Sequence, residues 1–91
     1  MNAERVDQMR TRLIAAFAPV SLEITDDSHL HVGHAGARDG KGHFTVSIVS
    51  ARFAGTTPLQ RHRMVYDALG TLMSSDIHAL SVKASAPDAA D

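Results

Sequence analysis

The sequence predicts an α+β fold: a single two-layer domain in the order α-β-β-α-β, with a three-stranded mixed sheet. Three observations predict it. Two segments carry apolar residues at helical spacing, three short segments alternate apolar and polar residues, and a chain of 91 residues supports one hydrophobic core. A strand joined to the next through a helix is normally a right-handed crossover to a parallel neighbour. The sheet is therefore expected to be mixed, with both helices on one face.

Asn2 is placed to cap a first helix whose apolar positions are Val6, Met9, Leu13, Ile14, Ala16 and Phe17, gathered on one side at 100° per residue. Pro19 ends it. In SLEIT, Leu22 and Ile24 face one way and Glu23 and Thr25 the other, as in a half-buried strand. HFTVSIVS repeats the alternation with Phe44, Val46 and Ile48 inward, and its β-branched residues support a second strand. In TPLQ, Thr57 is an N-cap, Pro58 opens the helix and Gln60 completes a capping box. Leu59, His62, Val65, Tyr66, Leu69, Leu72 and Met73 then form one stripe of a helix running from Pro58 to about Met73. Gly70 is its weak point, worth about 1 kcal/mol relative to alanine. IHALSVKAS gives the third strand, in which His78, Leu80 and Val82 share a face. The tail, SAPDAAD, has nothing to pack and is expected to be mobile.

Composition narrows the function. No cysteine is present, so neither a disulfide framework nor a thiolate metal site can be built from this chain; a metal must use imidazole, carboxylate or thiolates lent by another molecule. MNAERVDQMR has no apolar signal core, and no run approaches the ~18 apolar residues of a membrane span, so a cytosolic or organelle-matrix protein is expected, with the cytoplasm favoured. A net charge of -1 argues against indiscriminate binding to phosphate backbones, whose affinity comes mainly from cationic side chains.

The first two strands are joined by a connection of about sixteen residues, from Asp27 to Gly42, where a hairpin needs roughly 2 to 5. It holds four of the six glycines and, in SHLHVGHAG, three of the six histidines: His29, His31 and His34. These are either solvated polar residues or ligands. A complete site within the connection carries a large ordering cost, roughly 1 to 2 kcal/mol of backbone entropy per residue fixed. One loop histidine with one on the scaffold needs less ordering and leaves coordination open for a partner. His78, at the start of the third strand and in phase with Leu80 and Val82, is placed at the rim, half covered. His43 is either a structural hydrogen bonder or a rim ligand. His62, inside the apolar stripe, reads as structural.

Catalysis has little support. Ser28 and Ser50 lack a nucleophile-elbow context, and the adjacent Asp26 and Asp27 point to opposite faces. The GHAG of residues 33–36 matches the GxxG of KH domains by chance, because it joins strands where that motif joins helices. In RHR, Arg61 and Arg63 are roughly 160° apart on the wheel. They flank the stripe and do not make one basic face; local pairing, for example Arg63 with Asp67, is the plainer reading.

EITDDSHLHVGHAG, HFTVSIVSARFAGTTPLQRHRMVYDALG and IHALSVKA together closely resemble the BolA family, over roughly Glu4 to Ala86. The resemblance implies a BolA-like domain over residues 1–86, similar to type II KH domains, with a flexible tail at 87–91 and a helix-turn-helix-like element around Phe53 to Gly70. It implies a non-enzymatic protein that pairs with a monothiol glutaredoxin around a [2Fe-2S] cluster, held also by a glutathione thiol supplied through the glutaredoxin. The histidine of the IHAL motif, His78, is then the principal metal ligand. A residue of the loop supplies the second: His34 by its place in GHAG, with His29, His31 and His43 as weaker candidates. The family is also described as transcriptional regulators, which implies DNA contacts through Arg52, Arg61 and Arg63. No membrane partner is implied, and the free chain is expected as a monomer or weak homodimer.

Overall fold

A computed structural model describes residues 2–28 and 42–87. Helix α1 spans Asn2–Phe17, so the helix includes the residue expected to cap it. Met9, Leu13 and Phe17 recur at i, i+4 and i+8 and are buried, while Ile14 stays half exposed. Ala18 closes the helix with φ +43° and its N–H on the Ile14 carbonyl, and Pro19 prevents continuation.

Strand β1 (Ser21–Asp26) pairs antiparallel with β2 (Gly42–Val49), and β2 pairs parallel with β3 (Ile77–Ser85), in the order β1-β2-β3. Leu22 lies opposite Ile48, and Val46 opposite Val82. The expected mixed sheet is what forms, and β2 is its central strand. Phe44, Val46 and Ile48 face the helices and are buried; Leu22, Ile24, Leu80, Val82 and Ala84 pack around them half-buried.

After β2, Ser50 caps a 3₁₀ turn at Ala51–Phe53. Its buried hydroxyl donates to the Phe17 carbonyl at 2.7 Å and accepts from the Arg52 N–H at 3.2 Å. That ties the end of α1 to the end of β2. Phe53 is wholly buried, with its ring centroid 4.8 Å from that of Phe17.

Helix α2 (Pro58–Leu69) begins with the expected capping box, the Thr57 N–H donating to Gln60 Oε1 at 2.8 Å and the Gln60 N–H to Thr57 Oγ1 at 3.2 Å. Two expectations fail here. The helix stops at Leu69, because Gly70 takes φ +56°, a left-handed conformation that glycine adopts at little cost; a separate short helix, α3, follows at Leu72–Ser75. The buried stripe is also rotated. Val65, Leu69 and Leu72 are buried, with Arg61, Met64 and Ala68 beside them, whereas Leu59 (60% exposed), His62 and Tyr66 face outward.

The third correction concerns β3. Its pairing with β2 shifts register between Gly42 and His43: Gly42 lies opposite Ile77, and His43 opposite Ala79. Ile77 takes the buried place and His78 is turned out of phase with Leu80 and Val82, so it is exposed, not half covered. At the other end, Ser85 belongs to the strand, its carbonyl accepting from the Ser50 N–H at 3.0 Å; the tail expected at 87–91 falls, beyond Pro87, outside the described residues. Among the described residues no helix is long and apolar enough to cross a membrane.

Candidate functional site

The site is built where the shifted register brings β3 beside the start of β2. His78 projects from the irregularity, and its ring centroid lies 5.0 Å from that of His43, with the planes tilted by 50°. His43 occupies the face of β2 opposite Phe44, so the pair lies on the uncovered side of the sheet. Two imidazoles, one exposed and one half-buried, are thus held on neighbouring strands.

The long connection leaves and rejoins the sheet at this same place. Asp27 donates its N–H to the His43 carbonyl at 2.7 Å, and His43 donates its own to Ser28 Oγ at 3.0 Å. Ser28 N–H is accepted by Asp26 Oδ1 at 2.9 Å, and Thr45 Oγ1 donates to Asp27 Oδ2 at 2.6 Å. The two acids therefore fasten the foot of the connection. Gly42 closes the other foot, and a Cβ there would lie 2.5 Å and 2.6 Å from Phe44 ring atoms, so only glycine fits without displacing a core side chain. His29, His31 and His34 lie outside the described residues. The described residues on either side of the interval that carries them meet at His43, which Asp27 and Ser28 bond and Gly42 precedes.

Behind His78 stands Asp76, which sequence reasoning missed. Its N–H donates to the Leu72 carbonyl at 2.9 Å, its carbonyl accepts from the Gly42 N–H at 2.9 Å, and its Oδ2 lies 3.2 Å from Arg5 Nε of α1. The Ser75 hydroxyl, and after it the Arg5 guanidinium, hold the Asp76 carboxyl below its ordinary value of 3.8 against the opposing effect of burial. Nothing in the local pattern signals an ion pair between residues so far apart in the chain.

The donor chemistry suits a cluster completed from outside. Neutral imidazole is a ligand for iron, and with no cysteine in the chain every thiolate must come from a partner. Among the described residues no three His, Cys, Asp or Glu side chains gather around one point.

The arginines divide. Arg61 donates Nε to Thr56 Oγ1 at 2.9 Å, Nη2 to the Thr56 carbonyl at 3.1 Å and Nη1 to the Ala84 carbonyl at 2.9 Å, bracing α2 against β3. Arg52 and Arg63 are exposed, and no Arg63–Asp67 ion pair forms among the described residues. His62, expected inside the apolar stripe, instead meets Tyr66 edge-on at 5.5 Å on the exposed side of α2. Ahead of α2, the helix-turn-helix-like element reduces to one turn of 3₁₀ helix.

Comparison with known proteins agrees with this architecture. The family model described as BolA-like protein matches residues 13–89. The chain is 41% identical over 85 residues to SufE-like protein 1, chloroplastic/mitochondrial, of Arabidopsis thaliana, covering 88% of this chain and 23% of that protein. It is 43% identical over 82 residues to the DNA-binding transcriptional regulator BolA of Escherichia coli (strain K12), covering 90% and 72%. Among solved structures, the BolA domain of SufE1 from Arabidopsis thaliana superposes with a TM-score of 0.81 at 39% identity, over 91% of this chain and 92% of that one. The chain thus spans less than a quarter of the SufE-like relative's length and most of the bacterial regulator's.

Proposed function

This chain belongs to the BolA-like family, and from that membership we propose that it is a non-enzymatic accessory protein of iron-sulfur cluster trafficking or iron signalling. It works as a heterodimer with a monothiol glutaredoxin, bridged by a [2Fe-2S] cluster. His78 is the scaffold ligand and His34 the loop ligand, with His29, His31 and His43 as the alternatives for the second place. The glutaredoxin cysteine and a glutathione thiol supply the thiolates that this chain, with no cysteine, lacks.

One observation carries the reading. His78 is exposed on a register shift, its ring next to that of His43, and His43 in turn is where both feet of the histidine-rich connection reach the sheet. A structural histidine has no need of that position, whereas a ligand that must meet a partner's metal does. The cluster, when bound, supplies exchangeable iron and sulfide and a one-electron couple. Histidine in place of two thiolates raises the potential of a [2Fe-2S] centre and makes ligation sensitive to protonation, which suits cargo that is passed on. Thiol donors in the free form persist in a reducing compartment, and the reading places the pair in the cytoplasm.

The test mixes the chain with a monothiol glutaredoxin, iron, sulfide and glutathione under anaerobic conditions. A visible circular dichroism spectrum distinct from that of the glutaredoxin alone is expected, and His78→Ala should abolish the difference. An unchanged spectrum with His78→Ala contradicts the ligand assignment.

A second reading is favoured by the name of the Escherichia coli relative: a DNA-binding regulator acting through the α2 region. Arg52 and Arg63 are exposed for phosphate contacts, whereas Arg61 would first have to give up three hydrogen bonds inside the fold. This reading expects sequence-selective binding at physiological salt, weakened by charge reversal at Arg63 and indifferent to His78→Ala. Affinity no better than non-specific removes it.

A further inference from the structure

We propose that Arg5 and Asp76 are positioning residues for His78: their ion pair holds the strand irregularity that presents the imidazole to a partner. The proposal rests on the reading of His78 as the scaffold ligand.

The backbone reason comes first. Continued back from Val82 and Leu80, strand alternation would send His78 into the core. It is exposed only because one extra residue is accommodated where Gly42 faces Ile77 and His43 faces Ala79. Such an irregularity breaks the local ladder and needs an anchor outside it.

Asp76 supplies that anchor from the residue before the strand. Its main chain is fixed twice, by the Leu72 carbonyl of α3 and by the Gly42 N–H of β2. Its side chain is fixed a third time by Arg5 of α1, at 3.2 Å. Three elements therefore converge two residues ahead of the ligand. Gly42 has no slack to absorb a shift, because Phe44 crowds the place where a Cβ would stand. The side chains of Arg5 and Asp76 are only 21% and 28% exposed, so the pair is partly shielded from solvent where it meets the start of β3.

The experiment uses the whole chain with Arg5→Met, Asp76→Asn and the exchanged pair Arg5→Asp/Asp76→Arg. In the free protein, the nuclear Overhauser effect between the His43 and His78 rings should weaken in both single variants while core methyl resonances of Val46 and Leu69 stay in place. In the cluster-bridged heterodimer, the single variants should alter the visible circular dichroism and weaken cluster retention by about tenfold, the lower end of what outer partners of metal ligands contribute. The exchanged pair should recover both signals in part. If His78→Ala changes the cluster spectrum while both single variants match the wild type in ring contact and retention, the positioning role is overturned and the ligand reading stands. If His78→Ala leaves the spectrum unchanged, the ligand reading fails, and the proposal that depends on it falls with it.

Discussion

The two faces of β2 make different demands on one strand. Toward the helices, Phe44, Val46 and Ile48 are no more than 2% exposed and knit α1, α2 and the sheet into the core. Toward the uncovered side, His43, Thr45 and Ser47 are half-buried, and two of the three are bonded to the foot of the β1–β2 connection. The core sits on the first face, and the His43 imidazole and the anchors of the connection sit on the second. They meet only at the Gly42 end, where the Phe44 ring presses against the backbone that aligns His43 with β3.

The contrast is broken most severely from the covered side. Phe44→Ala should lower unfolding free energy by about 3–5 kcal/mol, read by chemical denaturation, through lost burial and the cavity left behind. A loss below 1 kcal/mol would show that the site's foot does not depend on this ring. Gly42→Ala should cost about 1–3 kcal/mol by overpacking. Because the clash is with Phe44 itself, most of that penalty should vanish in the Phe44→Ala background, and strict additivity would refute the crowding.

Acid acts more weakly, and with a defined sign. Asp76 has a folded-state value depressed below 3.8, so the unfolded chain takes up its proton first as pH falls. The stabilisation is fully present above the ordinary value and is lost as pH drops through the folded one. Denaturation curves of wild type and Asp76→Asn should converge below that window and separate above it. Smallest of all is His78→Ala on stability, within about 0.5 kcal/mol as for other exposed positions. A larger loss would move His78 from the chemical face to the structural one.

Much of the fold was legible because it follows local periodicity. The alternation of Phe44, Val46 and Ile48, the α1 ridge and the Thr57 capping box need no knowledge of distant contacts. What failed depended on distance. On α2, two stripes share Val65 and Leu69; the expected one runs through Leu59, His62 and Tyr66, yet the Arg61 side chain takes the inner place because Thr56 and Ala84 satisfy its guanidinium. The helix break at Gly70 is set by one positive φ, which a single glycine in a helical pattern leaves ambiguous. The turning-out of His78 depends on register against β2, which a period-two reading of one strand cannot contain. Pattern placed His78 at the start of the third strand, and the resemblance of the IHAL motif gave it the part of principal ligand. Arg5, 71 residues from Asp76, had no signal at all.

The central claim is that this chain gives nitrogen, and only nitrogen, to a cluster whose sulfur ligands belong to others. Pulsed electron paramagnetic resonance tests it most directly, on the reduced heterodimer assembled from a glutaredoxin at natural abundance and this chain carrying ¹⁵N only in its histidines. The account predicts a strong ¹⁵N hyperfine coupling that His78→Ala removes or halves. A reduced cluster showing no ¹⁵N coupling in the wild-type pair would contradict it.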